Sequence, residues 1–140
     1  MIIQEMVYQD QVEIKLLARD NYRGFDYIVL SYGIFPSAFV RIPQNHPYYE
    51  KYTGPIPVRC HGGILHRGKL EPVCGALPLN EYNIDLNEFW IGWSYMECND
   101  YTGFNMSSQF KKRTTVEMVN DCINVIGQLL SLPKEEDFLP

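Results

Sequence analysis

A chain of 140 residues, 46% hydrophobic and 14% aromatic, is long enough to fill one core and too short to fill two, so a single domain over 1–140 is expected. A formal charge of −5 argues against a general nucleic-acid binder, which needs a basic face, and favours a partner that carries a basic groove. No run of about 18 apolar residues occurs and no basic-then-apolar leader opens the chain, so neither a membrane span nor a signal peptide is expected, and the four cysteines at 60, 74, 98 and 122 are expected as reduced thiols in a cytoplasmic protein.

Residues 1–11 read equally as a strand or as a short helix. Val12 to Leu16 alternates apolar and charged residues, Asp20 to Gly24 has turn chemistry, and Phe25 to Tyr32 is aromatic and β-branched, which together predict a hairpin. A second turn over Gly33 to Pro36 leads into Ser37 to Ile42, extending the hairpin to a three-stranded meander. From Pro43 to Pro57 four prolines interleave with Tyr48, Tyr49 and Tyr52, and this predicts an ordered loop packed on the body of the domain. A short strand is expected over Val58 to Leu65. Residues 69–88 hold turn formers and a weak alternation at Ile84 and Leu86.

Phe89 to Tyr95 predicts a central strand with Phe89, Ile91, Trp93 and Tyr95 on one face and Trp90, Gly92 and Ser94 on the other. One helix is expected at the C-terminal end. Thr114 and Glu117 have capping-box spacing, and Val119, Cys122, Ile123, Ile126, Leu129 and Leu130 recur at helical steps until Pro133 stops the run. The fold expected is therefore α+β, a twisted and mainly antiparallel sheet with one long C-terminal helix packed on one face. Residues 133–140 are expected as a flexible acidic tail.

The segment Cys60-His61-Gly62-Gly63-Ile64-Leu65-His66 concentrates the types that carry chemistry. On a strand, neighbouring side chains point to opposite faces, so only one of Cys60 and His61 is expected in any one site. Adjacency in sequence is also not the geometry that a thiolate and its base require, and no catalytic residue is assigned. His46, His61, Glu97, Cys98 and Asp100 form a candidate zinc set, without the C-x-x-C or H-x-x-x-H pairing that marks strong sites. Tyr48, Tyr49 and Tyr52 are partner-binding residues if exposed and core if buried. Lys111, Lys112 and Arg113, placed against the helix dipole, are a second candidate partner-binding group.

Taken together, Val40-Arg41-Ile42-Pro43-x-x-His46-Pro47, then His61-Gly62-Gly63, then Phe89-Trp90-Ile91-Gly92-Trp93 with Asp100 downstream, then Arg113-Thr114 before the helix, resemble a family of small tailed-phage and prophage proteins. The usual form of that family is a G-Y-V-x-x-P-x-G-H-P block, a V-H-G-G-L-T-Y strand and a W-W-x-G-F-D-C-A-H-x-G-D block, and the likeness covers roughly residues 37 to 130. Aligned from Gly92, the family's D-C-A-H places its Asp, Cys and His on Ser94, Tyr95 and Glu97, and its last Asp on Asp100. The family carries no settled activity. The resemblance implies a phage origin and an accessory role in an infected or lysogenic bacterial cell. The function expected is then a phage-encoded anti-defence protein, a non-enzymatic inhibitor that binds a host CRISPR-type nuclease complex, without sequence-specific nucleic-acid binding of its own. The alternatives are a metal-dependent hydrolase acting on a nucleotide or phosphoester, and a sponge that sequesters a signalling nucleotide through Arg59, Arg67 and the tyrosines.

Overall fold

Among the described residues, five strands and one helix follow one another as β1 (Lys15–Tyr22), β2 (Phe25–Ser31), β3 (Pro36–Arg41), β4 (His66–Gly68), β5 (Trp90–Ser94) and α1 (Thr115–Ser131). The structure is a computed structural model that describes residues 3–8, 15–31, 35–49, 54–70, 84–96, 100 and 111–131. The strands form one antiparallel sheet in the order β1-β2-β3-β5-β4, so β5 lies inside the sheet, between β3 and β4. The fold is α+β.

The hairpin is set by its turn. Tyr22 pairs with Phe25, leaving Arg23 at φ 51° and Gly24 at φ 91° as a two-residue loop. Two positive φ values define the type I′ turn, whose twist matches that of paired strands. The Asn21 side chain supports it, accepting from the Gly24 amide at 3.0 Å and donating to Asp26 at 2.8 Å.

Alternation then sorts the side chains. Tyr27 and Val29 on β2, Ala38 and Val40 on β3, and Ile91 and Trp93 on β5 join the core beneath the helix. Met118, Val119, Cys122, Val125, Ile126 and Leu129 complete that core from the helix side, at the spacing of one helical face. Ile28, Leu30, Phe39 and Trp90 point to the other face, where Leu70 and Ile84 cover them. Trp90 donates its indole N–H to the Asp85 carbonyl at 2.9 Å, and the Leu70 amide donates to the Leu86 carbonyl at 2.9 Å. The sheet is thus buried on both sides, which explains why β2 and β5 read as nearly continuous apolar runs.

The helix begins as its capping box requires. Thr114 Oγ1 accepts from the Glu117 amide at 3.2 Å and the Thr114 amide donates to Glu117 Oε1 at 3.2 Å. The segment over residues 3–8, neither strand nor helix, ties down the same end. The Thr115 amide donates to Glu5, its hydroxyl donates to the Gln4 carbonyl, and the Met6 amide donates back to that hydroxyl.

Two expectations are corrected: the first strand runs on past Leu16 through Asp20 and Asn21 to Tyr22, which leaves only Arg23 and Gly24 in the turn, and a later strand is absent. Residues 58–65 do not form it, because Gly62 and Gly63 take φ 69° and 82°, in the left-handed region, and the Gly63 amide closes a turn on the Cys60 carbonyl at 3.0 Å. Strand pairing with β5 covers His66–Gly68, led in by the Leu65 amide, which donates to the Gly92 carbonyl at 2.9 Å. Expected features over residues 9–14, 32–34, 71–83 and 132–140 lie outside the described residues.

Gly92 is a point of close packing in the sheet. A Cβ at this position would sit 2.4 Å from Phe39 Cδ1 and 3.1 Å from the Ala38 carbonyl oxygen. Gly92→Ala is therefore expected to lower the unfolding free energy by about 1–3 kcal/mol through overpacking. Urea titration of the two proteins measures it, and coincident curves would show that β3 and β5 have slack at this point.

Candidate functional site

The left-handed turn at Gly62 and Gly63 presents His61 toward Asp100, a carboxylate only 1% exposed. His61 Nε2 lies 2.5 Å from Asp100 Oδ2, and Arg113 Nε donates to Asp100 Oδ1 at 3.3 Å. Because a carboxylate only accepts, the hydrogen on Nε2 is the shared one and Nδ1 is the second, uncommitted ring nitrogen. A β-bridge between Asp100 and Lys111 holds the backbone beside this cluster.

His61 also stacks on Tyr95, with ring centroids 4.8 Å apart and an interplanar angle of 17°. Tyr95 is fully buried. Its hydroxyl accepts from Trp93 Nε1 at 3.0 Å and donates to Asp121 Oδ2 at 2.6 Å. Burial first, and then the bond to Asp121, push the phenol far above its ordinary value and keep it neutral. The polar chain therefore runs from the segment before the helix, through Asp100, His61 and Tyr95, to the helix itself.

Above this layer lies a cleft of about 300 Å³ lined by Arg59, Cys60, His61, Arg113, Asp121 and Asn124. Cys60 and His61 border the same cleft, contrary to the expectation that a strand would set them on opposite faces, since a turn carries no such alternation. Gln128 fixes the cleft's outer wall. Its side chain accepts from the Arg59 amide and donates to the Arg59 carbonyl, each at 2.7 Å, in the manner of a neighbouring strand. The Cys60 thiol is pushed up to about 11 by burial and by the charge of Asp121, so it stays protonated and is a poor nucleophile at neutral pH.

His46, expected beside His61, is elsewhere. Its Nδ1 accepts from the Tyr48 amide at 3.1 Å, which leaves Nε2 as the donor to the Leu129 carbonyl at 3.0 Å. Both ring nitrogens are thereby used, and Leu129 lies about 12 Å along the helix from Asp121 at 1.5 Å per residue. Glu97, Cys98 and Tyr52 lie outside the described residues. Among the described residues, no three His, Cys, Asp or Glu side chains gather where they would hold a metal ion.

The partner-binding candidates separate as well. Tyr48 is 1% exposed and belongs to the core, so it is not a contact residue. Tyr49 packs on the core and donates to Glu88 at 3.1 Å. Of the basic run, Lys111 and Lys112 are exposed, with Lys111 paired to Glu117 at 2.8 Å, while Arg113 turns inward to Asp100. Arg67 donates to the Gly54 carbonyl at 2.7 Å, beside a separate cavity lined by Pro55, Ile56 and Ile64, and so does not share a site with Arg59.

Asp121, Asn124 and Gln128 are functional-site residues that the sequence reading passed over. Their spacing of three and four residues places them along one margin of the helix's apolar stripe, and a helical projection would have shown it.

Comparison with protein-family models, with curated proteins and with solved structures finds no match to this chain. No helix among the described residues is long and apolar enough to cross a membrane.

Asp100→Ala removes the acceptor that His61 and Arg113 share and is expected to destabilise the fold by about 3–5 kcal/mol. Chemical denaturation reads this, and a loss under about 1 kcal/mol would mean that water replaces the carboxylate at little cost. A second outcome concerns pH. Burial lowers His46 from its ordinary value of 6.5, outweighing the carbonyl bond that raises it. The folded state then binds fewer protons than the unfolded one, so this contribution is complete above the unfolded value and is lost as pH falls below it. Melting temperatures between pH 8 and pH 5 should fall for the native chain and fall less for His46→Gln, and equal slopes would reject the assignment to His46.

Proposed function

We propose that this chain acts by binding, as a phage-encoded inhibitor of a host defence complex of the CRISPR nuclease type. The observation that carries the binding half is the state of its imidazoles. His46 spends both ring nitrogens on backbone groups, His61 is held by buried Asp100, and His66 Nε2 is bonded to the Gly68 carbonyl at 3.2 Å. With the Cys60 thiol held protonated as well, each histidine and this cysteine among the described residues has at least one polar atom tied to the fold or held inert. The net charge of −5 supports the choice of partner, since an acidic protein is attracted to a basic nucleic-acid channel. The phage setting is supported by the order of the blocks around His46, His61-Gly62-Gly63 and Asp100.

A second reading has one observation in its favour. A buried carboxylate that orients an imidazole is also the arrangement of a general base, so His61 and Asp100 support a hydrolase acting on a nucleotide or phosphoester. The form of that reading in which His46 is a metal ligand loses its support, because neither of its nitrogens is left for a metal.

Expression in cells that carry an active CRISPR-type system tests the first reading. Interference against a targeted plasmid is expected to fall, and the effector complex is expected to co-purify with the tagged chain in a salt-sensitive manner. Full interference in every system tried, with the chain present and folded, would sink it.

A further inference from the structure

We propose that the cleft between Arg59–His61 and the helix binds the phosphate group of a small ligand. The inference stands apart from the inhibitor reading and needs no partner protein. Two arginines line this cleft from segments more than fifty residues apart in sequence. Arg113 commits only its Nε to Asp100, which leaves its terminal nitrogens without a partner among the described residues. The exposed Arg59 side chain makes no bond among the described residues, yet its backbone is gripped at both the amide and the carbonyl by Gln128. The two Gln128 bonds fix the point on the cleft wall from which the Arg59 side chain extends.

The third donor is His61. Asp100 holds its Nε2, and Nδ1 is the nitrogen left for a ligand, donating when the ring is protonated. One guanidinium satisfies a planar carboxylate through two parallel bonds, whereas two arginines and a histidine lining one cleft from separate segments offer donors suited to the tetrahedral oxygens of phosphate. Across the cleft, Asp121 and Asn124 offer a carboxylate and an amide to hydroxyl or amino groups elsewhere on the ligand. The volume of about 300 Å³ is at the lower end for small-molecule sites, which sets the ligand at about the size of a nucleoside monophosphate.

Calorimetry and thermal melting with inorganic phosphate and with adenosine, guanosine, cytidine and uridine 5′-monophosphates test this on the purified native chain. Binding is expected, weakening as salt is raised. Arg59→Ala is expected to weaken it by about tenfold or more while leaving the unliganded melting temperature unchanged, since the Gln128 bonds are to backbone atoms. A nucleotide that binds well above inorganic phosphate identifies a nucleotide as the source of the group. Equal binding of all probes, lost together in Arg59→Ala, identifies the phosphate alone as what the cleft reads. No heat and no melting shift with any probe at about 10 mM, or equal affinity in the native chain and Arg59→Ala, would overturn the proposal. Because no defence complex is present, failure here leaves the inhibitor reading as it stood.

Discussion

A single carboxylate with almost no contact with water holds the site together. Asp100 answers two donors at once, the imidazole of His61 from the glycine turn and the guanidinium of Arg113 from the segment before the helix. Without it, a guanidinium and an imidazole would sit partly desolvated and uncompensated. With it, the two segments are fixed relative to each other, and everything above them follows. The His61 ring lies flat on Tyr95, Tyr95 reaches the helix through Asp121 and receives the indole hydrogen of Trp93 from within its own strand. A polar layer of this kind is directional where the apolar core is not, and it sets how turn, sheet and helix meet.

What the sequence made legible was local. The hairpin, the meander, the two faces of β5 and the capped helix all depend on signals carried within a few residues: Arg23-Gly24, alternation, and Thr114 with Glu117. The glycine turn differs from the expected strand because Val58 before it and Ile64 and Leu65 after it are strand-like in composition, while the decisive fact is two successive positive φ values. The separation of His46 from His61 and the burial of Tyr48 have another origin. The roles of His46 and Tyr48 come from a helix carbonyl and a core wall distant in sequence, and nothing in the loop's own composition encodes those neighbours. Donor type alone associates His61 with Asp100 beforehand, as members of the candidate zinc set, since their separation of 39 residues has no periodicity to announce a direct bond.

The cleft is formed where the helix's apolar stripe gives way to its polar margin. Val125 faces the core, while Asp121, Asn124 and Gln128 run beside it and meet the backbone at Arg59. A turn segment with no strand to pair with still finds backbone partners, because a glutamine amide presents a donor and an acceptor side by side as a peptide does. The sheet's opposite face carries the second apolar cluster. There Ile28, Leu30, Phe39 and Trp90 are simply covered, and the Phe39 ring passes over Gly92 where a larger residue would be in its way.

The helix is fastened at both ends by groups remote in the chain. Thr115 is bonded to Gln4, 111 residues away, and the Leu129 carbonyl is bonded to His46, 83 residues away. Neither fastening can form until most of the chain has been brought together, so loop-closure entropy is met before these bonds contribute. The helix has its own local stop and start signals, yet its final anchoring is among the least local events in the molecule. A topology of this kind is expected to fold slowly for its size and in one cooperative step, with the polar layer closing late, after the meander has supplied a surface on which the helix can dock.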